Sequence, residues 1–320
     1  MTRGRPVGRV TRDRPGAPVL ARPSTAERLA PVRRRSLAPL LLQLLAMIGI
    51  GALVYPSAAD WFATLAHDAE RSGYVRAVAG EGAERATAAL EAAQRYNEAL
   101  PQALLLDPYA RDAQAHSAVT DQAQAAYEEV LRVNGTEVIG EVLYPSLNIG
   151  LPLYHGTEER AITRGAGHLF GTSLPVGGPS THAVLTSHSG LVNAKLFTRL
   201  PQAQIGDDFE LRVLGESMFY RVDRIETVEP FVTDSLGVTA GEDRVTLFTC
   251  TPIGINSHRL LVSATRVDPP SEAGRDLRGD GQTAGFPWWA LTFLASSGAI
   301  AWLLYAPRRP RAAALRGGAQ

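Results

Sequence analysis

The sequence predicts a mainly β domain held between two membrane-spanning helices. Three observations carry this: long apolar segments toward both ends of the chain, a helix-forming stretch after the first, and short β-rich runs from Thr136 onward. With 320 residues the chain has room for one substantial domain plus extensions.

Leu37 to Tyr55 reads LAPLLLQLLAMIGIGALVY, about the length needed to cross a hydrocarbon core of ~30 Å. Phe286 to Tyr305 reads FPWWALTFLASSGAIAWLLY, uncharged, with Trp288, Trp289, Trp302 and Tyr305 near its ends as an interfacial aromatic belt requires. Arg33, Arg34 and Arg35 precede the first segment, and Arg308, Arg309 and Arg311 follow the second. The positive-inside rule then puts both ends in the cytoplasm and residues 57–285 outside the cell membrane. A cleaved signal peptide is the competing reading of the first segment. The long basic region before it and the weak small-residue pattern Pro56-Ser-Ala-Ala-Asp60 favour an anchor.

Formal net charge is zero, but residues 1–36 hold ten arginines against Asp13 and Glu27. The basic residues therefore flank the folded part, which is not the pattern of a nucleic-acid-binding domain. The expected organisation is an Arg/Pro-rich cytoplasmic tail over 1–36, a span over 37–56, and an extracytoplasmic helical region over 57–135. A β domain over 136–268, a linker over 269–285, a second span over 286–305 and a tail over 306–320 follow. The first tail reads as disordered.

Within the helical region, Ala86, Leu90, Ala93, Tyr96 and Leu100 form an apolar stripe, and Glu91 with Arg95 is an i,i+4 pair, predicting a helix from Glu84 to Leu100. Pro108 disfavours helix at Asp107, so Leu104 to Tyr109 is a turn or loop. A second helix is expected from about Asp121 to Val133, stopped by Asn134-Gly135. Seven β-rich runs follow: Val138–Leu143, Asn148–Tyr154, His182–Leu185, Asp208–Leu214, Met218–Val228, Arg244–Cys250 and Arg259–Val267. Their short length and Gly, Pro, Asn and Asp punctuation indicate a barrel or sandwich rather than a parallel α/β sheet.

Cys250 is the only cysteine and ends one of these runs; Arg259 opens the next. A lone thiol is either an inert buried hydrophobe or, in an oxidising compartment, a reactive group. Of seven histidines, His67 and His116 fall in the helical region and are expected to be solvated. His258 points to the opposite strand face from Arg259. His188 follows a strand end in Thr186-Ser-His-Ser-Gly190, where it can face a site built from neighbouring strand ends. No His/Cys pair has zinc-ligand spacing, and no metal or cofactor is expected.

The segment Thr246-Leu-Phe-Thr-Cys-Thr-Pro-Ile-Gly-Ile-Asn-Ser-His-Arg-Leu-Leu-Val262 resembles the cysteine-to-arginine signature of the sortases. Asn148–Gly156, Gly167–Val176 with Gly177, and Ala194–Leu200 also resemble segments of that family, specifically its class C, pilin-polymerising branch. The resemblance implies an eight-stranded sortase β-barrel with an N-terminal helical region. It carries the catalytic histidine onto His188, the nucleophile onto Cys250 and the arginine onto Arg259. The class C lid triplet falls on Asp107, Pro108 and Tyr109. Ser187 and Ser189 stand where the family commonly has glycine and arginine beside the histidine.

The implied activity is cysteine transpeptidation: cleavage of an LPxTG-like sorting signal between Thr and Gly, and transfer of the acyl group to a pilin lysine. The implied partners are pilin subunits, sorting-signal peptides and the lipid bilayer. Attachment of surface proteins to a peptidoglycan precursor is the alternative acceptor reaction. A cysteine protease and a catalytically silent membrane-anchored scaffold are further alternatives, and the intact His188, Cys250 and Arg259 set argues against the scaffold.

Overall fold

The computed structural model describes residues 37–100, 118–230, 234–269 and 284–306. The two tails, most of the linker and the triplet Asp107, Pro108 and Tyr109 lie outside the described residues. The first helix, α1 (Ala38–Glu81), is longer than the predicted span and continues past Pro56 onto the β domain. Then come α2 (Ala83–Ala99) and α3 (Ala118–Glu129), close to the predicted pair. The last helix, α5 (Trp288–Tyr305), matches the second apolar segment. Both α1 and α5 are long and apolar enough to cross a membrane.

Between them lie β1 (Val138–Tyr144), β2 (Ile149–His155), α4 (Glu159–Ile162), β3 (Ala166–His168) and β4 (Thr181–Thr186). The remaining strands are β5 (Asp208–Val213), β6 (Glu216–Val228), β7 (Asp243–Thr251) and β8 (His258–Val267). They close into a barrel in the order β1-β2-β3-β4-β7-β8-β6-β5. The pairs β2–β3 and β4–β7 are parallel and the others antiparallel. Closure leaves no unpaired sheet edge. Seven strands coincide with predicted runs; β3, at three residues, is too short to show an alternation.

The interior is filled by apolar residues from every strand, among them Val142, Leu151, Leu153, Leu185, Leu211, Leu247 and Val262. Tyr144, Phe209 and Tyr220 stack in series, with ring centroids 5.5 and 5.8 Å apart. The predicted stripe of α2 packs on this core through Ala86, Leu90, Ala93 and Tyr96. Tyr127 of α3 is enclosed by Phe170, His155 and His168. Its hydroxyl meets His168 Nδ1 at 2.8 Å and accepts a bond from Gly156 N.

The C-terminal half of α1 docks on the barrel through a polar seam. Thr64, His67, Arg71 and Tyr74 recur at helical spacing and are all buried. Arg71 Nε lies 3.2 Å from Glu141 Oε2, and both side chains are sealed from solvent. Tyr74 donates to Ile139 O and accepts from Leu214 N, bridging β1 to the end of β5. Glu70 takes bonds from Tyr154 and Arg164. His67, expected to be solvated, is instead buried, and that burial lowers its pKa to about 4. His116 lies outside the described residues.

Burial pushes the Glu141 carboxyl up, and Arg71 opposes the shift. Arg71→Ala leaves a buried carboxylate without its cation and should destabilise the protein by about 3–5 kcal/mol at neutral pH. Because the native state holds the Glu141 proton to higher pH than the unfolded chain, the defect should shrink as pH falls. Thermal melts of the full chain in detergent measure this, and Arg71→Met with Glu141→Leu should recover most of the loss. The buried histidines set a second pH dependence. Burial lowers His155 to about 4 and His168 to about 3, against an ordinary value of 6.5. The unfolded state therefore takes up protons that the native state refuses. Stability should be full above pH 6.5 and fall by about 1.4 kcal/mol per pH unit per histidine toward pH 4. A melting series over that range, compared with His168→Gln, checks the contribution of this ring.

Candidate active site

Strand register assembles the site. In the parallel β4–β7 pair, Val184 faces Thr246 and Thr186 faces Phe248. In the antiparallel β7–β8 pair, Thr246 faces Ser263, Phe248 faces Leu261 and Cys250 faces Arg259. Residues two apart on a strand share a face, so these positions form successive rungs on the outside of the barrel. At the lowest, His182, one step down β4, brings Nε2 to 2.8 Å from Thr246 Oγ1, and Thr246 Oγ1 meets Ser263 Oγ at 2.8 Å. The middle rung is apolar, with Phe248 and Leu261 packed against Leu169, Val184 and Leu236. Past the end of β4, Ser187 N still bonds Phe248 O and Ser189 Oγ bonds Cys250 O, so the loop between them carries His188 to the Cys250 end of β7. The top rung therefore reads His188, Cys250, Arg259.

Cys250 is buried, with only 9% of its surface exposed. Arg259 is also buried, and its Nη1 donates to Asn256 O and His258 O at 3.1 and 3.3 Å. These bonds hold the guanidinium by the β7–β8 loop. His258 pairs with Thr251 across the ladder and its Nδ1 meets Ser257 Oγ at 2.8 Å, off that rung. Buried His182 is a core histidine fixed by Thr246 and Gly237 O, its pKa lowered by burial. Among the described residues no cluster of His, Cys, Asp and Glu could hold a metal ion.

The two serines beside His188 have separate roles. Ser187 is fully buried, and its hydroxyl donates to the carbonyls of Gly165 and Ile162, tying the end of β4 to α4. Ser189 Oγ donates to Cys250 O at 2.7 Å, joining the histidine loop to β7. Phe197 N donates to His188 O and closes the loop from the other side. At the start of α4, Glu159 brings Oε2 to 3.1 Å from His188 Nε2. Sequence reasoning missed Glu159, because nothing in its spacing links the β2–β3 crossover to the end of β4.

A sequence model of the sortase domain matches residues 143–267. The structure is similar to sortase C-1 from Actinomyces oris, at 45% identity and TM-score 0.54, covering 58% of this chain and 99% of that one. It is also similar to a pilus-related sortase C of Group B Streptococcus, at 36% identity and TM-score 0.54, covering 61% and 95%. A curated relative, sortase A of Streptococcus agalactiae serotype III (strain NEM316), is 29% identical over 117 residues, 36% of this chain; the match spans 47% of that relative's length. Fold and site define a β-barrel of the cysteine transpeptidase class. The chain belongs to the sortase family, on its class C side.

Gly190 has φ +77°, and a Cβ there would lie 2.2 Å from Ile253 Cγ2. Gly190→Ala should force the histidine loop away from the β7–β8 loop, with about 1–2 kcal/mol of backbone strain. Slower transpeptidation, out of proportion to a small drop in melting temperature, is the expected result.

Proposed function

We propose that this protein is a membrane-anchored transpeptidase that cleaves an LPxTG-like sorting signal between Thr and Gly and passes the acyl group to a lysine amine of a pilin subunit. The rung His188, Cys250, Arg259 carries this reading. The Cys250 thiolate attacks the threonyl carbonyl carbon, and the C=O electron pair moves onto oxygen. Arg259, permanently charged, is the donor for that oxyanion or for the substrate backbone nearby. As the tetrahedral species collapses, the C–N bond breaks and His188 as imidazolium protonates the departing glycine amine. The thioester is then attacked by the acceptor amine. His188 takes the proton back, the C–S bond breaks and the thiolate returns.

Glu159, bonded to the imidazole, is a positioning residue for His188 in this scheme, and Ser187 holds the helix turn that presents it. The name of the similar pilus-related sortase C supports a pilin as substrate, and the Asp107-Pro108-Tyr109 triplet supports a lid over the thiol. Attachment to a peptidoglycan precursor is the second reading, favoured by the match to a sortase A. The apolar α1 and α5, with arginines outside them, support a two-pass protein with its barrel outside the cell membrane.

Incubating the full chain with an LPxTG-like peptide, with and without a lysine-bearing pilin domain, tests the reaction. Cys250→Ala should abolish acyl transfer, while Arg259→Lys should reduce it severely, because an ammonium cannot reproduce the guanidinium's planar donors. Release of hydrolysed peptide at a rate indifferent to amine would indicate a protease instead. Glu159→Gln should lower kcat about fivefold, the scale of an exposed charged pair, with KM unchanged. Asp107→Ala with Tyr109→Ala should speed alkylation of Cys250 by a small reagent; an unchanged rate removes the lid from the scheme.

A further inference from the structure

The long helix α1 gives the barrel a direction. Its residues meet the barrel in order: Asp60 takes a bond from Lys195 N at 3.0 Å and pairs with Lys195 Nζ. Arg71 meets Glu141, Tyr74 bridges Ile139 and Leu214, and Glu81 takes a 2.7 Å bond from Asn134. At about 1.5 Å of rise per residue, Asp60 and Glu81 mark opposite ends of the barrel some 30 Å apart. Asp60 is the chain neighbour of Trp61, which forms an aromatic cluster with Phe62 and Trp289 and donates Nε1–H to Gly285 O at 2.7 Å. Rings with an apolar body and a polar edge gather at the level of lipid headgroups. The Lys195 loop therefore sits at that level, and the turn at Gly215, beside Val78, sits farthest away.

Contacts assign the other loops. Phe197, two residues from Lys195, bonds His188 O, and Gly190 rests on Ile253 of the β7–β8 loop. The strand β1 runs from Ile139, beside Tyr74, to Tyr144, whose hydroxyl donates to Asp207. The turn before Asp207 is thus also at the Trp61 end. Among the described residues, the large apolar side chains exposed on the barrel are Val192 (62%), Ile205 (70%), Ile253 (48%) and Ile255 (72%). All four belong to these loops, on the end of the barrel that carries His188 and Cys250.

We propose that these four side chains form a lipid-contact surface that seats the catalytic end of the barrel on the bilayer, so that the Cys250 cleft opens at the membrane surface. This rests on reading α1 and α5 as membrane spans. Lipid is the occupant because the apolar tips lie at the same end of the barrel as the Trp61, Phe62 and Trp289 cluster, tied to it through Asp60 and Lys195. Scattered apolar residues on a soluble barrel would have no reason to collect at its tethered end. Tips of this size enter the headgroup and outer acyl region, about 5–10 Å deep.

The test uses the full chain carrying Cys250→Ala, reconstituted into vesicles of phosphatidylcholine and phosphatidylglycerol with brominated acyl chains. An environment-sensitive fluorophore is attached to one introduced cysteine at a time: Val192→Cys, Ile205→Cys or Ile255→Cys at the proposed surface, Tyr55→Cys within the span, and Ser217→Cys at the far end. The expected result is quenching and a blue shift at Val192, Ile205, Ile255 and Tyr55, with Ser217 indifferent to bromination. Quenching at Tyr55 but not at the three loop positions would overturn the proposal and leave the spans standing. Loop emission that answers only to an added sorting-signal peptide would assign the surface to substrate and likewise overturn it. Absence of quenching at Tyr55 would overturn the membrane reading itself.

Discussion

The parallel pairing of β4 with β7 is the constraint on which the site depends. One register sets Thr186 against Phe248, two residues short of His188 and Cys250, and the antiparallel β7–β8 ladder sets Arg259 against Cys250. A slip of one residue in either ladder would turn one member of the set to the opposite face. The rungs below guard against this. The His182, Thr246 and Ser263 hydrogen bonds and the Phe248 and Leu261 contacts form only in this register. Three buried polar residues, His182, Thr246 and Ser263, thus hold the ladder in register below the site.

The serines in Thr186-Ser-His-Ser-Gly190 gain meaning in this frame. Each spends its hydroxyl on a backbone carbonyl, one in the α4 turn and one on Cys250. The loop is fastened to both of its neighbours, and Glu159 completes the surround of His188. A polar side chain at the glycine position is tolerated because its oxygen is satisfied inside the protein.

Much of this was legible in the sequence because it obeys simple periods. The strands alternate or run apolar, α2 shows its stripe, and α5 is uncharged and aromatic at its ends. The cysteine-to-arginine segment pointed to Cys250 and Arg259, which the β7–β8 ladder pairs, and the strand-end position pointed to His188. The docking half of α1 was not legible, because its buried seam of Thr64, His67, Arg71 and Tyr74 is polar and hydrophobic periodicity passes over it. For the same reason His67 read as solvated. Glu159 was hidden differently: its partner is 29 residues away and meets it only once β2, β3 and β4 are laid side by side. The helix end after α3 also came earlier than Asn134-Gly135 suggested, since Leu131 already adopts a left-handed backbone.

The central place of β7 has a mechanical consequence. It is laddered along its length to β4 on one side and β8 on the other. In the proposed reaction a polypeptide held as a thioester on Cys250 would pull at the end of this strand. Tension along the strand axis loads both rows of hydrogen bonds in shear, so many bonds must yield together. A strand at an open sheet edge would instead peel one bond at a time. The barrel would therefore hold firm at Cys250 against the load that the proposed thioester places on it.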